Sequence, residues 1–372
     1  MRRADCTRFS TRTSLAIAAT AAVITLPDSV LGQGCVAIRG CGLNHLEAFA
    51  KPPDAELHGG EWLASLGFRW FQSHRHFVGD VEQTQRKELE NEVINDSYFW
   101  DLTAQYAITP RVAVSFTIPF VYSDRSSLYE HDRVNRYNTS AGGIGDVQFV
   151  PSVWLWDPAK MPKGNIQVGI GFAAPTGDYQ ATDTFITADG PVTGYVDQSI
   201  QPGTGGWGIV WSLTAYREVV PGLTAFVNGA YLSYPGDVNG TPTRTGSVRR
   251  NPYEQVMSIA DQYFGQGGFM YTVAPKWGLS LGVAGRIDGV PAEDAFGDSN
   301  GFRRPGYAVS VEPLLQWYRG RYTVSVAVPV AVYRNRTQSV ADQQWTADTG
   351  IYRHGDAAFA DVSVLANFAV SF

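Results

Sequence analysis

The chain has 372 residues, a formal net charge of −6 and 39 glycines, with 13% aromatic and 17% charged residues. The charged fraction is low against the roughly one quarter found in soluble domains, and the acidic balance argues against a nucleic-acid partner because phosphate binding needs a basic face. The sequence also lacks long amphipathic segments rich in Ala, Leu, Glu and Lys, which argues against a helical or α/β enzyme.

Residues 1–32 have the pattern of an export signal. Four arginines within the first 12 residues are followed by an apolar run from Ser14 to Leu26, and small residues before Gln33 permit cleavage there. The run is shorter than the roughly 20 apolar residues that a membrane-spanning helix needs. We therefore predict export to the periplasm.

The two cysteines of the mature chain, Cys35 and Cys41, enclose the short segment CVAIRGC. In an oxidising compartment they could form a disulfide, and a lipidated Cys35 is the alternative that the sequence leaves open. A metal site there lacks companion ligands nearby, so we expect no metal and no cofactor. Residues 33–60, which contain Pro52-Pro53 and show little periodicity, are predicted to be a periplasmic lead-in or a plug segment.

From residue 61 onward, apolar residues recur at every second position, which is the period of a β-strand with one apolar face. In the segment EWLASLGFRWFQS, for example, Trp62, Ala64 and Leu66 share one face, and Ser65 and Gly67 share the other. Each run is near the length of about 9–11 residues that a tilted strand needs to cross a bilayer. The predicted strands cover about 61–73, 98–108, 112–122, 146–156, 166–174, 207–216, 223–234, 267–274, 279–287, 307–316, 322–332 and 359–372.

The connections between these runs alternate in length. Short ones, rich in Pro, Gly or charge, lie near 109–111, 157–165, 217–222, 275–278 and 317–321. Long polar ones cover about 79–97, 123–145, 175–206, 235–266, 288–306 and 333–358. A chain threaded from one side of a membrane has this asymmetry, with short periplasmic turns and long extracellular loops. The sequence therefore predicts an all-β protein: a transmembrane antiparallel up-and-down β-barrel of about 12 strands over residues 61–372 in the bacterial outer membrane, with 10 to 14 strands left open.

The C-terminal segment DVSVLANFAVSF ends on an aromatic residue after an alternating run. Phe368, Val370 and Phe372 share the apolar face, whereas Leu365 and Ala369 break the alternation. This pattern resembles the sorting signal that the barrel-assembly machinery reads in outer-membrane proteins. The expected partners are therefore that machinery and outer-membrane lipids, and the sequence leaves the oligomeric state open.

Because lipid takes the apolar faces, functional side chains should face the lumen or lie at the outer rim. By parity, the lumen candidates are Arg69, Asp101, Gln105, Asp146, Gln148, Arg286, Glu312 and Gln316. The rim candidates are Asp178, His74 and His76, and no third ligand accompanies the two histidines to make a metal site. Mutual pairing that fills the barrel is the alternative to a role in solute passage.

An enzymatic function is the minority interpretation. The segment from Gly297 to Gly301 resembles part of the His-x-Ser-Asn-Gly motif of an outer-membrane phospholipase family, but Gly297 stands where the general base should be. Without a base, Ser299 is an ordinary hydroxyl, and the composition is typical of a turn. We predict no catalytic residue.

Two short motifs carry a further resemblance. Gly142–Phe149 (GGIGDVQF) and Gly169–Asp178 (GIGFAAPTGD) are similar to motifs of the outer-membrane transporter family named for the meta-pathway of phenol degradation. The resemblance implies a channel associated with catabolism of hydrophobic or aromatic compounds. From the residues themselves, Asp146 and Asp178 should lie close together across a hairpin, where they could share a cation or pair with Arg125 or Arg133. Turn-forming residues without a ligand are the favoured alternative.

The sequence thus predicts a porin-like barrel for passive passage of small solutes, with hydrophobic or aromatic solutes implied by the resemblance. The competing hypothesis is a structural or adhesive barrel with a filled lumen that acts through its long extracellular loops.

Overall fold

The computed structural model describes residues 58–244 and 249–372. The predicted signal segment, most of the predicted lead-in or plug, and both Cys35 and Cys41 lie outside these residues. Within them, no helix has the length and apolar composition required to cross a membrane.

The described elements are, in chain order, β1 (Trp62–Val78), β2 (Val81–Glu82), α1 (Gln85–Glu88), β3 (Ile94–Ala107), β4 (Val112–Ser127), β5 (Tyr137–Ile144), β6 (Val147–Trp154), β7 (Gly164–Ala174), β8 (Thr182–Thr187), β9 (Gly190–Tyr195), β10 (Gly208–Val220), β11 (Leu223–Ser233), β12 (Val238–Pro242), β13 (Val256–Ser258), β14 (Gln262–Ala274), β15 (Leu279–Val290), β16 (Gly306–Arg319), β17 (Tyr322–Ala327), β18 (Val330–Asn335), α2 (Val340–Thr349) and β19 (Ala357–Ser371).

Sequential strands pair antiparallel into one sheet that closes on itself. The first strand, β1, pairs with the last, β19, from Leu63 opposite Ser371 to Phe77 opposite Ala357. The pairs β5–β6 and β17–β18 each form one interrupted strand, so the closed barrel has 12 antiparallel strands and the predicted fold is confirmed. Closure leaves the barrel sheet without free edges.

The outward-facing positions carry large apolar side chains that remain exposed. They include Leu66, Leu102, Phe116, Ile170, Leu213, Val227, Phe269, Val283, Val311 and Phe368. A soluble protein rarely exposes contiguous apolar surface of this extent. The outer face is therefore the lipid-contacting band of a transmembrane barrel, as the alternation in the sequence predicts.

At the barrel end that carries the long connections, the strands extend further than the sequence predicts. Strands β1 and β4 continue to Val78 and Ser127, and β5 lies inside the segment 123–145 predicted as loop. The long connections also fold on themselves. Strands β8 and β9 form a hairpin, and α2 begins with a capping box between Ser339 and Asp342. Such a box satisfies helix N–H groups that would otherwise lack partners.

Candidate lumen and extracellular rim

The inward face of four adjacent strands carries a buried polar network. The Arg286 guanidinium on β15 forms a bidentate ion pair with Asp288, at 2.8 and 2.7 Å, and lies 3.8 Å from the Glu312 carboxylate on β16. Gln266 on β14 donates to Glu312 at 2.5 Å and accepts from Asn228 on β11 at 3.1 Å. The predicted lumen candidates Arg286 and Glu312 are thus brought together, in a network of one guanidinium and two carboxylates.

Apart from Asp146, the remaining lumen candidates are distributed over β1, β3, β6 and β16. The Arg69 guanidinium lies 4.2 Å from the centre of the Phe99 ring, within cation–π range. Asp101 lies opposite Gly67 in the β1–β3 pair. Gln105 is partly exposed nearer the short-turn end, and Gln148 and Gln316 are buried on β6 and β16.

An apolar cluster lies next to the polar network on the inward face. It contains Phe226, Met270, Leu314 and Leu365, packed with Ala284 and Ala327. Sequence reasoning treated Leu365 as an exception to the alternation, but its side chain occupies the inward parity of β19 and is 3% exposed. An apolar residue at a position where the alternation calls for a polar one is the sequence signal for this cluster, because a wholly polar lumen would not need inward leucines. The inward face of the barrel is therefore amphipathic, with both its polar network and its apolar cluster buried.

The motif residue Asp146 lies at the break between β5 and β6 and is buried. Its carboxylate accepts hydrogen bonds from the Gly177 amide at 3.1 Å, the Thr204 amide at 2.9 Å and the Thr204 hydroxyl at 2.7 Å. Thr176 reinforces this junction by donating to the Gly145 carbonyl at 2.7 Å. We call this arrangement the Asp146 clasp, because it ties the connection 175–207 to the barrel wall.

The second motif aspartate does not form the predicted carboxylate pair. Asp178 is exposed and accepts from the Gln180 amide at 2.8 Å, as expected for a turn residue. Arg125 binds elsewhere, in a bidentate pair with Glu130 at 2.9 and 2.7 Å. The motif therefore serves backbone shape, which was the alternative favoured from the sequence.

Both rim histidines lie on β1, and His74 is partly exposed. His76 is buried; its Nε2 accepts from the Val93 amide at 2.9 Å, and its Nδ1 lies 3.0 Å from Asp356, which also binds Arg86. Burial alone would raise the pKa of Asp356, but the hydrogen bond from His76 and the Arg86 charge lower it overall. No group of three potential metal ligands occurs within 58–244 and 249–372. His76 thus joins two extracellular connections.

Ser299 is engaged within its own loop. Its hydroxyl accepts from the Asp294 amide at 2.9 Å and lies 3.4 Å from the Asp294 carboxylate. That carboxylate in turn pairs with Arg303 at 2.5 Å, with both groups buried. These contacts are those of a loop-stabilising residue.

The sorting-signal residues lie at the seam where the barrel closes. Phe368 is exposed on the lipid-facing side, and Phe372 exchanges two main-chain hydrogen bonds of 2.8 Å with Trp62. Their role in assembly stays a prediction.

His131 in the connection after β4 supports a pH-dependent prediction. Its Nδ1 accepts from the Ile186 amide of β8 at 3.1 Å, and its ring stacks on Phe185. Burial lowers the pKa of His131, although the neighbouring carboxylates of Glu130, Asp132 and Asp183 oppose the shift. Neutral His131 therefore stabilises this contact above pH ~6.5, and the contribution is lost as the pH falls through the lowered pKa.

We expect hydrogen exchange at the Ile186 amide, corrected for its intrinsic rate, to accelerate between pH 7.5 and pH 5. In His131→Phe, which keeps the ring but cannot titrate, that acceleration should disappear. Persistence of the same pH dependence in the variant would assign it to the carboxylates instead.

Comparison with known proteins identifies the fold. No protein-family model matches the sequence, and neither does any curated protein. Among solved structures, the chain is similar to an outer-membrane channel from Pseudomonas putida F1, with a TM-score of 0.53 and 12% identity over 87% of this chain and 99% of that one. The autotransporter translocator domain NalP from Neisseria meningitidis matches with a TM-score of 0.44 and 9% identity, over 86% of this chain and 91% of that one. The P. putida toluene transporter TodX matches with a TM-score of 0.39 and 7% identity, over 92% and 99%.

The first of these matches, together with the closed sheet and its apolar outer band, establishes the architecture. The protein is an outer-membrane β-barrel of the bacterial type.

Proposed function

We propose that this barrel is a passive channel for small solutes with an apolar or aromatic body. The observation that carries the proposal is the amphipathic inward face of the barrel: the buried network around Arg286 and Glu312 borders the inward apolar cluster of Phe226, Met270 and Leu365. Apolar side chains on the inward face lower the cost of passing an apolar group.

Two further considerations support the proposal. The P. putida protein that shares the fold is described as an outer-membrane channel. The motifs at 142–149 and 169–178 resemble the transporter family named for the meta-pathway of phenol degradation, and membership of that family is part of what we propose.

Conductance of the refolded protein in a planar lipid bilayer tests the function directly. Discrete current steps of constant size are expected, and small aromatic solutes should reduce them. The absence of current steps would contradict an open channel and favour the filled barrel that acts through its loops. Heat-dependent gel migration must first show that the protein in this experiment is folded.

The lumen charges also predict ion selectivity. Glu312→Gln removes one negative charge beside Arg286 and should shift the reversal potential in a KCl gradient toward anions, whereas Arg286→Gln should shift it toward cations. Even at the dielectric constant of bulk water, a unit charge at about 4 Å is worth about 1 kcal/mol, which corresponds to a roughly fivefold change in permeability ratio.

Ser310, which faces Arg286 across the β15–β16 pair, offers the matched control. Ser310→Ala changes the same lumen wall without altering charge, so the reversal potential should stay constant. If both charge variants moved the potential in one direction, these residues would not line the conducting path.

A further inference from the structure

The short turns at one end of the barrel carry an excess of positive charge. The ranges 109–111, 157–165, 217–222, 275–278 and 317–321 contain seven Lys or Arg residues and two Asp or Glu residues. The six long connections contain 13 Lys or Arg residues and 23 Asp or Glu residues. The two ends of the barrel thus differ in the sign of their charge, and the positive end is the one with the short, periplasmic turns.

Both acidic residues of the short turns are already paired with lysine. The Asp157 carboxylate lies 3.6 Å from the Lys160 ammonium, and that of Glu218 lies 3.1 Å from Lys163. Glu61, which precedes β1 at the same end, accepts a hydrogen bond from the His58 amide at 2.7 Å. The other five cations of these turns are exposed and form no ion pair with a residue of 58–244 or 249–372: Arg111, Arg217, Lys276, Arg319 and Arg321.

Three turns that carry these unpaired cations are consecutive around the barrel. Strand β11 pairs with β14, and β15 pairs with β16, so the β10–β11, β14–β15 and β16–β17 turns follow one another. The second and third are joined directly, since the Tyr318 amide donates to the Gly278 carbonyl at 2.8 Å. We call the cations of these three turns the basic rim: Arg217, Lys276, Arg319 and Arg321. Their neighbouring charges add to one positive field.

Exposed aromatic side chains lie beside the basic rim. Trp277 follows Lys276 directly and is 71% exposed, and Tyr271 on the lipid-facing side of β14 is 52% exposed. Tyr322 at the start of β17 stacks on the lipid-facing Phe368, with ring centres 6.2 Å apart. Tryptophan and tyrosine are enriched where a membrane meets water, at the depth of the lipid head groups. The cations of the rim therefore lie at the level of lipid phosphates.

We propose that the basic rim binds the phosphate groups of anionic phospholipids in the periplasmic leaflet of the outer membrane. Lysine and arginine near a membrane surface attract anionic lipids, and both side chains donate charge-assisted hydrogen bonds to phosphate oxygens. The adjacent aromatic rings favour a lipid over a soluble anion, because they continue the lipid-facing band of the barrel wall. The site lies on the outer wall, so the proposal does not rest on the channel function.

Native mass spectrometry of the folded full-length protein in detergent measures the lipid preference. The protein is mixed with equal amounts of phosphatidylglycerol and phosphatidylcholine that have identical acyl chains, so that only the head-group charge differs. Because each cation near a membrane surface adds to the attraction, bound phosphatidylglycerol should exceed bound phosphatidylcholine at least about threefold. Equal occupancy by the two lipids would overturn the proposal.

A double variant locates the site. Lys276→Gln combined with Arg319→Gln removes two exposed, unpaired charges and should bring the ratio of the two bound lipids close to one. Lys160→Gln combined with Lys163→Gln is the matched control, because it removes two charges from the same end of the barrel at residues that already have acidic partners. The control should keep the parental ratio, with both variants shown to be folded by heat-dependent gel migration. An equal effect in both variants, or no effect of the first, would contradict a site at the basic rim.

Glycerol phosphate separates a lipid site from a site for soluble anions, because it carries the phosphate group without acyl chains. In large excess over the lipid, it should leave most of the phosphatidylglycerol bound. Displacement as complete as that in the Lys276 and Arg319 double variant would assign the rim to soluble anions and overturn the proposal. Lipid binding is measured without conductance, so failure of the channel function would leave this result unchanged.

Discussion

Replacing Asp361 with alanine is expected to destabilise the barrel by about 3–5 kcal/mol, the usual cost of removing one partner from a buried ion pair. The Asp361 carboxylate on β19 binds the Arg334 guanidinium on β18 and lies 2.8 Å from that of Arg75 on β1. The side chains of Asp361 and Arg334 are only 2% and 7% exposed. The substitution therefore removes a carboxylate shared by two cations at the seam that closes the sheet.

The measurement is urea unfolding of protein in detergent, followed by tryptophan fluorescence and by loss of the fast-migrating folded band in unheated gels. Lys163→Ala is the matched control. It breaks an ion pair with Glu218 at 3.1 Å in which the lysine side chain is 72% exposed, and exposed pairs contribute little. Its unfolding midpoint should match that of the parent protein.

Asp361→Asn separates charge from shape. Because asparagine keeps the volume but loses the charge, we expect it to be destabilised nearly as much as the alanine variant. If the asparagine variant matched the parent protein instead, packing rather than charge compensation would hold the seam.

The membrane-spanning part of the fold was predictable because its physics is local. Lipid on one side and lumen on the other impose a period of two on each strand, so the faces of β1, β14 and β16 follow from the sequence. The same parity predicts Arg286 and Glu312 on the inward face, and in the structure both belong to one buried network. It could not show that they meet, since contact between neighbouring strands depends on register.

The extracellular region was predicted less completely because its contacts join segments distant in sequence. Asp146 meets Thr204 across 58 positions, and Arg304 meets Asp197 across 107. No periodic pattern in the sequence predicts pairs that are this far apart along the chain. The motif did mark Asp146 as unusual, but a GxGD sequence is compatible with a cation site, an arginine pair or a backbone clasp, and only the fold distinguishes them.

The Asp146 clasp leads to the second large prediction, which concerns local rather than global stability. In Asp146→Ala, the buried amides of Gly177 and Thr204 lose their acceptor. Loss of hydrogen bonds to a buried charged group costs about 1.5–3 kcal/mol each, so about 3 kcal/mol is a conservative total. The connection 175–207 should then open roughly a hundred times more often, since local unfolding follows the local free energy.

The consequence is measurable by limited proteolysis of the folded barrel, since cleavage of a transiently opened segment follows its equilibrium population when reclosing is fast. We expect cleavage within 175–207 to accelerate by about two orders of magnitude, while cleavage in the other extracellular connections changes little. Thr204→Val, which removes only the hydroxyl donor, should give an intermediate rate.

The motif supplies its own control in Asp178→Ala, because Asp178 is exposed and its carboxylate accepts a hydrogen bond from the Gln180 amide of the same turn. This variant should be cleaved at nearly the parental rate.

Close packing explains why the clasp matters. A Cβ atom on Gly203 would lie 2.2 Å from the Gly177 carbonyl oxygen, so only two glycines allow the two segments of the connection to approach this closely. Equal acceleration in the Asp178 and Asp146 variants would show that the loop is held by its turn chemistry. The Asp146 carboxylate would then not be what fastens it to the wall.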